Sequence, residues 1–223
     1  MDHVKIHKVI RSHRRTIALV VGSDATLTVR APMQTPMDYI ENLVQRKLDW
    51  IKAKIREVEA RPQPHRKRFV NGESFPYLGD LYRLRVVTDA EAPFVFQKEF
   101  VLAREHQSEA RRLLLNWYKE EARRKIPERV RWYALRFGME VGPISITDAK
   151  KRWGSCGKDA GLNFSWRLIL APLQVLDYVV IHELAHTIER NHAPSFWKKV
   201  ATMCPTYRSS MQWLKENEHL LQV

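Results

Sequence analysis

Three histidines and a glutamate carry the densest chemistry in this sequence: His182-Glu183-Leu184-Ala185-His186, followed by His192. On an α-helix, residues four apart share a face, so His182 and His186 can direct both imidazoles at one ion. Glu183 stands where a carboxylate can take a proton from a water activated by that ion without ligating the ion itself, the logic of the H-E-x-x-H pattern. His192 adds a geometric condition. In an unbroken helix it would lie about 15 Å along the axis from His182, whereas ligand nitrogens must all sit about 2.0–2.1 Å from one zinc ion. The helix must therefore stop before His192. Arg190-Asn191 offers the stop, because Asn tolerates the left-handed conformation that ends helices.

The flanks describe the helix that has to hold these groups. Pro172 suits a first turn, and Leu173, Val175, Leu176, Val179, Val180, Ile181, Leu184, Ala185 and Ile188 cover so much of the circumference that burial on most sides is expected. Polar groups in such a place are normally paired or metal-bound. Metzincins set a third histidine at the same offset after a glycine turn, but Glu189 occupies that position here, which separates this chain from them.

Upstream, short strands and helices alternate. Residues 3–30 read as two β-strands, 16–21 and 26–30, around a turn at Gly22-Ser23-Asp24. Residues 36–60 read as one helix, with Tyr39, Ile40, Leu43, Val44, Leu48, Ile51 and Ile55 at helical spacing, ended by Arg61-Pro62-Gln63-Pro64. Phe69-Val70-Asn71-Gly72 signals a hairpin that leads into Tyr77-Leu78 and the alternating Leu81, Arg83, Arg85, Val87, and a strand pair covers 94–103. A helix over 108–137 carries Leu113, Leu114, Trp117, Tyr118, Ala122, Ile126 and Val130 on one side; Pro127 is expected to kink or split it, and Gly138 to end it. Strands at 144–150 and 162–168 precede the histidine helix, and helices at 194–204 and 208–221 follow it. The fold class is α+β: a β-rich α+β N-terminal half over 1–105, and a C-terminal half over 106–223 that holds the motif.

With 223 residues, 44% of them hydrophobic, the chain can bury one large core or two small ones. Cys156 and Cys204 are too few for a disulfide framework, which points to a reduced, cytoplasmic setting. No stretch approaches the roughly 20 apolar residues of a membrane span, and no signal peptide is expected. The net charge of +13 is uneven: residues 1–136 hold 28 Lys+Arg against 17 Asp+Glu, and residues 137–223 hold 10 against 8. A basic first half of this kind, with His65-Arg66-Lys67-Arg68 at its centre, attracts polyanions such as nucleic acid, and serves equally as a solubilising surface.

Several stretches together closely resemble the YgjP-like metal-dependent hydrolases, relatives of the SprT and WLM metallopeptidases. They are Lys151-Arg152-Trp153-Gly154-Ser155-Cys156, Leu168 to Pro172, Asp177-Tyr178-Val179-Val180, His182 to His186, and Asn191 to Trp197. Arg14-Arg15-Thr16, Asp49-Trp50-Ile51 and Tyr77-Leu78-Gly79 extend the likeness over nearly the whole chain. The resemblance implies a zincin-like catalytic half, its active-site helix packed on a small sheet, with zinc on His182, His186 and His192 and Glu183 as the catalytic glutamate. It implies two chemistries, because members are labelled metallopeptidases by motif while nucleoside triphosphate pyrophosphohydrolysis is also attributed to the family.

The leading expectation is thus a zinc hydrolase of peptides or proteins, one Zn2+ per chain, in which Glu183 is the general base. Tyr207 and Arg152 are candidates to stabilise the oxyanion. The strand at 162–168, through Asn163 and Ser165, reads either as an exposed edge for an extended peptide or as an interior strand. Cys156 reads as a packed or turn residue, with a fourth, inhibitory ligand as the lesser alternative. A nucleotide substrate draws support from the basic first half and lacks a glycine-rich phosphate cradle. A nucleic-acid-binding module with a structural metal leaves Glu183 without a use.

Overall fold

The computed structural model describes residues 4–22, 24–60, 67–150 and 152–221. Ser23 of the expected turn, the helix-ending Arg61-Pro62-Gln63-Pro64, His65 and Arg66 of the basic run, and Lys151 lie outside the described residues. Two compact units form, Met1–Arg66 and Lys67–Val223.

In the first unit, β1 (Ile6–Ser12), β2 (Ala18–Val21) and β3 (Leu27–Pro32) make one sheet in the order β1-β3-β2, β3 running parallel to β1 and antiparallel to β2. Leu27, Val29 and Ala31 alternate on the buried face of β3 and pack with Ile40, Val44 and Ile51. β1 was not expected from sequence. Its register slips between Ile6 and Lys8, so its side chains lack the clean period of two that reveals a strand.

The single helix expected over 36–60 is two, α1 (Met37–Arg46) and α2 (Leu48–Glu59), broken at Lys47, where φ is −107° and ψ 15°. Periodicity hides this break. Ile40, Val44, Ile51, Ile55 and Val58 would fall within about 60° of one another on one continuous helix, so their spacing fits either arrangement.

In the second unit, β4 (Ser74–Tyr77), β5 (Asp80–Val87), β6 (Phe94–Phe96) and β7 (Phe100–Ala103) form a sheet in the order β4-β5-β7-β6. The helix α3 (Ala110–Phe137) follows, then β8 (Ile144–Thr147), β9 (Gly154–Cys156) and β10 (Leu162–Ser165) in a second sheet ordered β8-β10-β9. Helices α4 (Leu173–Ile188), α5 (Pro194–Met203) and α6 (Tyr207–Asn217) complete the unit. The architecture is α+β, as expected. One core joins Phe75, Phe100 and Leu102 of the first sheet to Leu114, Tyr118, Ile126 and Val130 of α3 and to the apolar residues of α4. Residues 67–105 therefore belong to the unit of the histidines, and the compact units part after Arg66 where the sequence suggested a boundary near 105.

Pro127 does not split α3, which runs unbroken for 28 residues. The carbonyl that loses its helical partner belongs to Arg123, an exposed position where water can serve instead. The β4–β5 hairpin turns at Leu78-Gly79, with φ of 50° and 92°, and not at Asn71-Gly72 as expected. The Asn71 side chain instead accepts from the Val86 N–H of β5 at 2.6 Å. Gly79 is required twice: by its positive φ, and by Pro172, whose Cα would lie 2.7 Å from a Cβ at this position. Leu78 N–H also donates to the Ile169 carbonyl at 2.8 Å, so the hairpin braces the entry to α4.

The other brace on α4 is ionic. Arg129 of α3 grips Asp177 through two bonds of 2.7 Å, and both side chains are largely buried. Asp177→Ala strands the Arg129 cation and should lower unfolding stability by about 3 kcal/mol, the low end for breaking a buried pair. Urea denaturation of the two proteins checks the value.

Candidate active site

The apolar sequence of α4 buries it on nearly all sides, and Val180, Leu184 and Ala185 are fully enclosed. The helix ends at Ile188, because Glu189 is extended, with φ −126° and ψ 107°. Asn191 does not take the left-handed conformation expected of it. An extended turn, without glycine, swings His192 back, and α5 begins at Pro194, whose missing N–H and fixed φ suit a first helical position.

This turn brings the three imidazoles together. The Nε2 atoms of His182 and His192 are 3.1 Å apart, and those of His186 and His192 are 3.2 Å apart. The potential ligand atoms of all three histidines lie within 4.8 Å of one another. His186 Nδ1 lies 3.0 Å from the Glu189 carbonyl, which fixes its proton on Nδ1 and leaves Nε2 with a lone pair. Burial, reinforced by the other two histidines, pushes His182 down to about 4, and burial lowers His186 as well. Imidazole lone pairs that face each other at this range repel unless a proton or a metal cation lies between them. Tetrahedral zinc would space such nitrogens about 3.3 Å apart, close to what the chain provides.

Phe196 organises the cluster. It is fully buried, stacks on His186 at 4.4 Å between centroids, and meets His182 and His192 edge-on at 5.0 and 4.8 Å. Sequence spacing assigned it no role, since an aromatic on an amphipathic helix reads as core.

Glu183 is buried and forms no hydrogen bond or ion pair among the described residues. Burial pushes its carboxyl up to about 7, against the opposing charge of Arg152. Gly154 of β9 makes room for it: a Cβ there would stand 2.5 Å from Glu183 Oε1 and 2.6 Å from its Cγ. This is a second residue to which sequence reasoning gave no role, for only the tertiary approach of β9 to α4 reveals it. Gly154→Ala is expected to displace the carboxylate, lowering kcat roughly 100-fold, the scale of a 1 Å misplacement, with metal content unchanged. Parallel kinetics and metal analysis test the pairing.

The remaining candidates are placed differently. Tyr207 opens α6 and stacks on Trp197 at 5.7 Å, and the Trp197 ring is in turn 5.7 Å from His192. Arg152 lies exposed just before β9. Asn163 and Ser165 are in β10, which runs between β8 and β9, so the edge-strand reading of this segment is corrected to an interior strand. β10 also ends at Ser165, whose hydroxyl caps a 3-10 turn over Trp166–Leu170 where an extended strand had been expected. The edge beside α4 belongs to β9. Cys156 is half-buried and outside the histidine cluster, and burial pushes its thiol up.

A family model described as YgjP-like, metallopeptidase domain, matches residues 15–217, most of the chain. The chain belongs to the YgjP-like family. No curated protein and no solved structure gives a significant match. As a YgjP-like metallopeptidase domain, the chain is a metal-dependent hydrolase, with a mixed fold consistent with the zincin-like class. No described helix of this YgjP-like chain is long and apolar enough to cross a membrane.

Proposed function

We propose that this chain is a zinc peptidase in which His182, His186 and His192 hold one Zn2+ and Glu183 is the general base. The observation that carries the reading is the convergence of three imidazole nitrogens, at 3.1 and 3.2 Å, beside a buried carboxyl with no hydrogen-bond or ion-pair partner among the described residues. Zinc held by His182, His186 and His192 would supply Lewis-acid polarisation of the attacked carbonyl and would bring the pKa of an adjacent water down toward about 7. Glu183, itself near 7, accepts the proton of the attacking water and passes it to the leaving amine. His186 is held in its ligating tautomer by the Glu189 carbonyl. Phe196 and Trp197 wall one side of the imidazoles, and His192 stays open to solvent.

Tyr207 is the donor we assign to the developing oxyanion. Its oxygen accepts from Arg208 Nε at 3.0 Å, which leaves its own O–H free to donate. Tyr207→Phe should lower kcat by about 100-fold, as removal of one such donor does, with zinc content unchanged. A peptide substrate is favoured by the edge of β9, which pairs only with β10 among the described residues and runs beside Glu183.

The deciding experiment presents unfolded polypeptides, short peptides and a nucleoside triphosphate panel to the zinc-loaded protein. New amino termini that appear with wild type and not with Glu183→Gln support the peptidase. Phosphate or pyrophosphate release from nucleotides, with peptides untouched, would replace it with nucleotide hydrolysis.

A further inference from the structure

We infer that the cavity on the outer face of the β8-β10-β9 sheet is a subsite for a carboxylate of the substrate chain, anchored by Arg152. The inference rests on the peptidase reading above. The cavity holds about 300 Å3 and is lined by Thr147, Ala149, Arg152, Gly154, Ser155 and Asn163. Register explains its polar lining. Ser155 and Asn163 are cross-strand partners and leave the same face, whereas Leu162 and Phe164 point the other way into the core. Gly154 lines the cavity from this face, and the Cβ it lacks would point the other way to the Glu183 carboxylate, so the cavity and the reacting centre adjoin one residue of β9 from opposite faces of the sheet.

Among the described residues Arg152 is the only cation of that lining, and the Glu183 carboxylate feels its charge without forming an ion pair with it. The other arginines around this sheet are engaged: Arg167 with Asp148 at 2.6 Å, and Arg190 with the carbonyls of Gly157 and Lys158 at 2.5 and 2.7 Å. Arg152 has no hydrogen bond or ion pair among the described residues, so its planar fork is open to a bidentate oxyanion. Ser155 complements it. Asn163 Nδ2 donates to Ser155 Oγ at 3.5 Å, leaving the Ser155 O–H free for a second acceptor.

Asp148, Ala149 and Trp153, near Arg152 in the chain, are held to β10 and the turn that follows it. Ser165 Oγ donates to the Ala149 carbonyl at 2.7 Å, Ser165 N–H donates to Trp153 O at 2.9 Å, and Trp166 Nε1 donates to Asp148 at 2.7 Å. The backbone of Trp153, next to Arg152, is thus held in place, and ordering the Arg152 side chain itself is a cost of binding. Size favours a single side chain or a chain end over a nucleoside triphosphate, since the cavity is at the small end of ligand pockets of roughly 300–1,000 Å3.

Two sources share this chemistry, an acidic side chain and a free C-terminus, and peptide pairs separate them. The zinc-loaded Glu183→Gln protein, which binds without turnover, is titrated with pentapeptides that differ only as Glu against Gln, or as free against amidated C-terminus. One pair should show about 10- to 100-fold tighter binding of the anionic member, the scale of a charge-assisted hydrogen bond. That preference should vanish in Arg152→Gln, weaken in Ser155→Ala, and coincide with a shift of the Asn163 side-chain amide resonance. Equal affinities within both pairs, or a preference that survives Arg152→Gln, would overturn the assignment. So would inorganic phosphate shifting the Asn163 resonance while neither pair discriminates. Turnover of the same peptides, anionic and neutral, by wild type is scored separately: its absence for all of them, with the anion preference intact, removes the peptidase reading and leaves the subsite.

Discussion

Glu183→Gln is expected to lower kcat by roughly 10²- to 10⁴-fold, the contribution of a positioned general base, while the protein keeps its metal and its fold. The substitution keeps the shape of the side chain and removes its capacity to take a proton. Nothing else needs to change, because Glu183 makes no hydrogen bond or ion pair among the described residues that the amide could break. Burial that holds the carboxyl near 7 favours the neutral form, so an amide should cost the fold little. Thermal stability at or above that of wild type, equal zinc content and lost turnover form the expected set. Full activity would remove Glu183 from the role of base.

His192→Ala should have the next largest effect, a loss of zinc affinity of more than about 100-fold, beyond what is usual for residues one layer out from a metal. His182 and His186 would remain on α4, but two imidazoles offer half of a tetrahedral shell. The effect has a second readout, because a ion that binds only the folded chain stabilises it by about 2.7 kcal/mol at a hundredfold excess over Kd. Wild type should therefore melt higher when zinc is added and lower with a chelator, whereas His192→Ala should respond to neither at the same concentrations. An unchanged zinc response in the variant would show that the third ligand lies elsewhere.

Much of this site is legible in the residue string, for a physical reason. Ligation demands fixed side-chain types at helical spacing, and an apolar helix around His182 and His186 advertises its burial by composition alone. What stays hidden depends on contacts between distant segments. Gly154 matters because β9 crosses Glu183, and Phe196 because α5 folds back onto all three histidines. The helix stops at Ile188, ahead of the Arg190-Asn191 that the sequence suggests, since Glu189 uses ordinary extended backbone that carries no sequence signal and the left-handed tolerance of Asn191 is not used. The same limit applies to the fold. β10 alternates in a way that suits an edge or an interior strand, and only pairing with β8 and β9 decides it. Likewise, that β4 to β7 belong with the histidine helix is decided by packing between distant segments, since Phe75 and Phe100 share one core with Tyr118 of α3.

X-ray absorption spectroscopy of the zinc-loaded protein bears most directly on the metal centre. Three imidazole nitrogens at about 2.0–2.1 Å, one zinc per chain and no sulfur shell are the predicted result. A sulfur scatterer at about 2.3 Å, which would bring a cysteine into the shell, or a protein that retains no zinc after dialysis, would contradict a centre built on His182, His186 and His192.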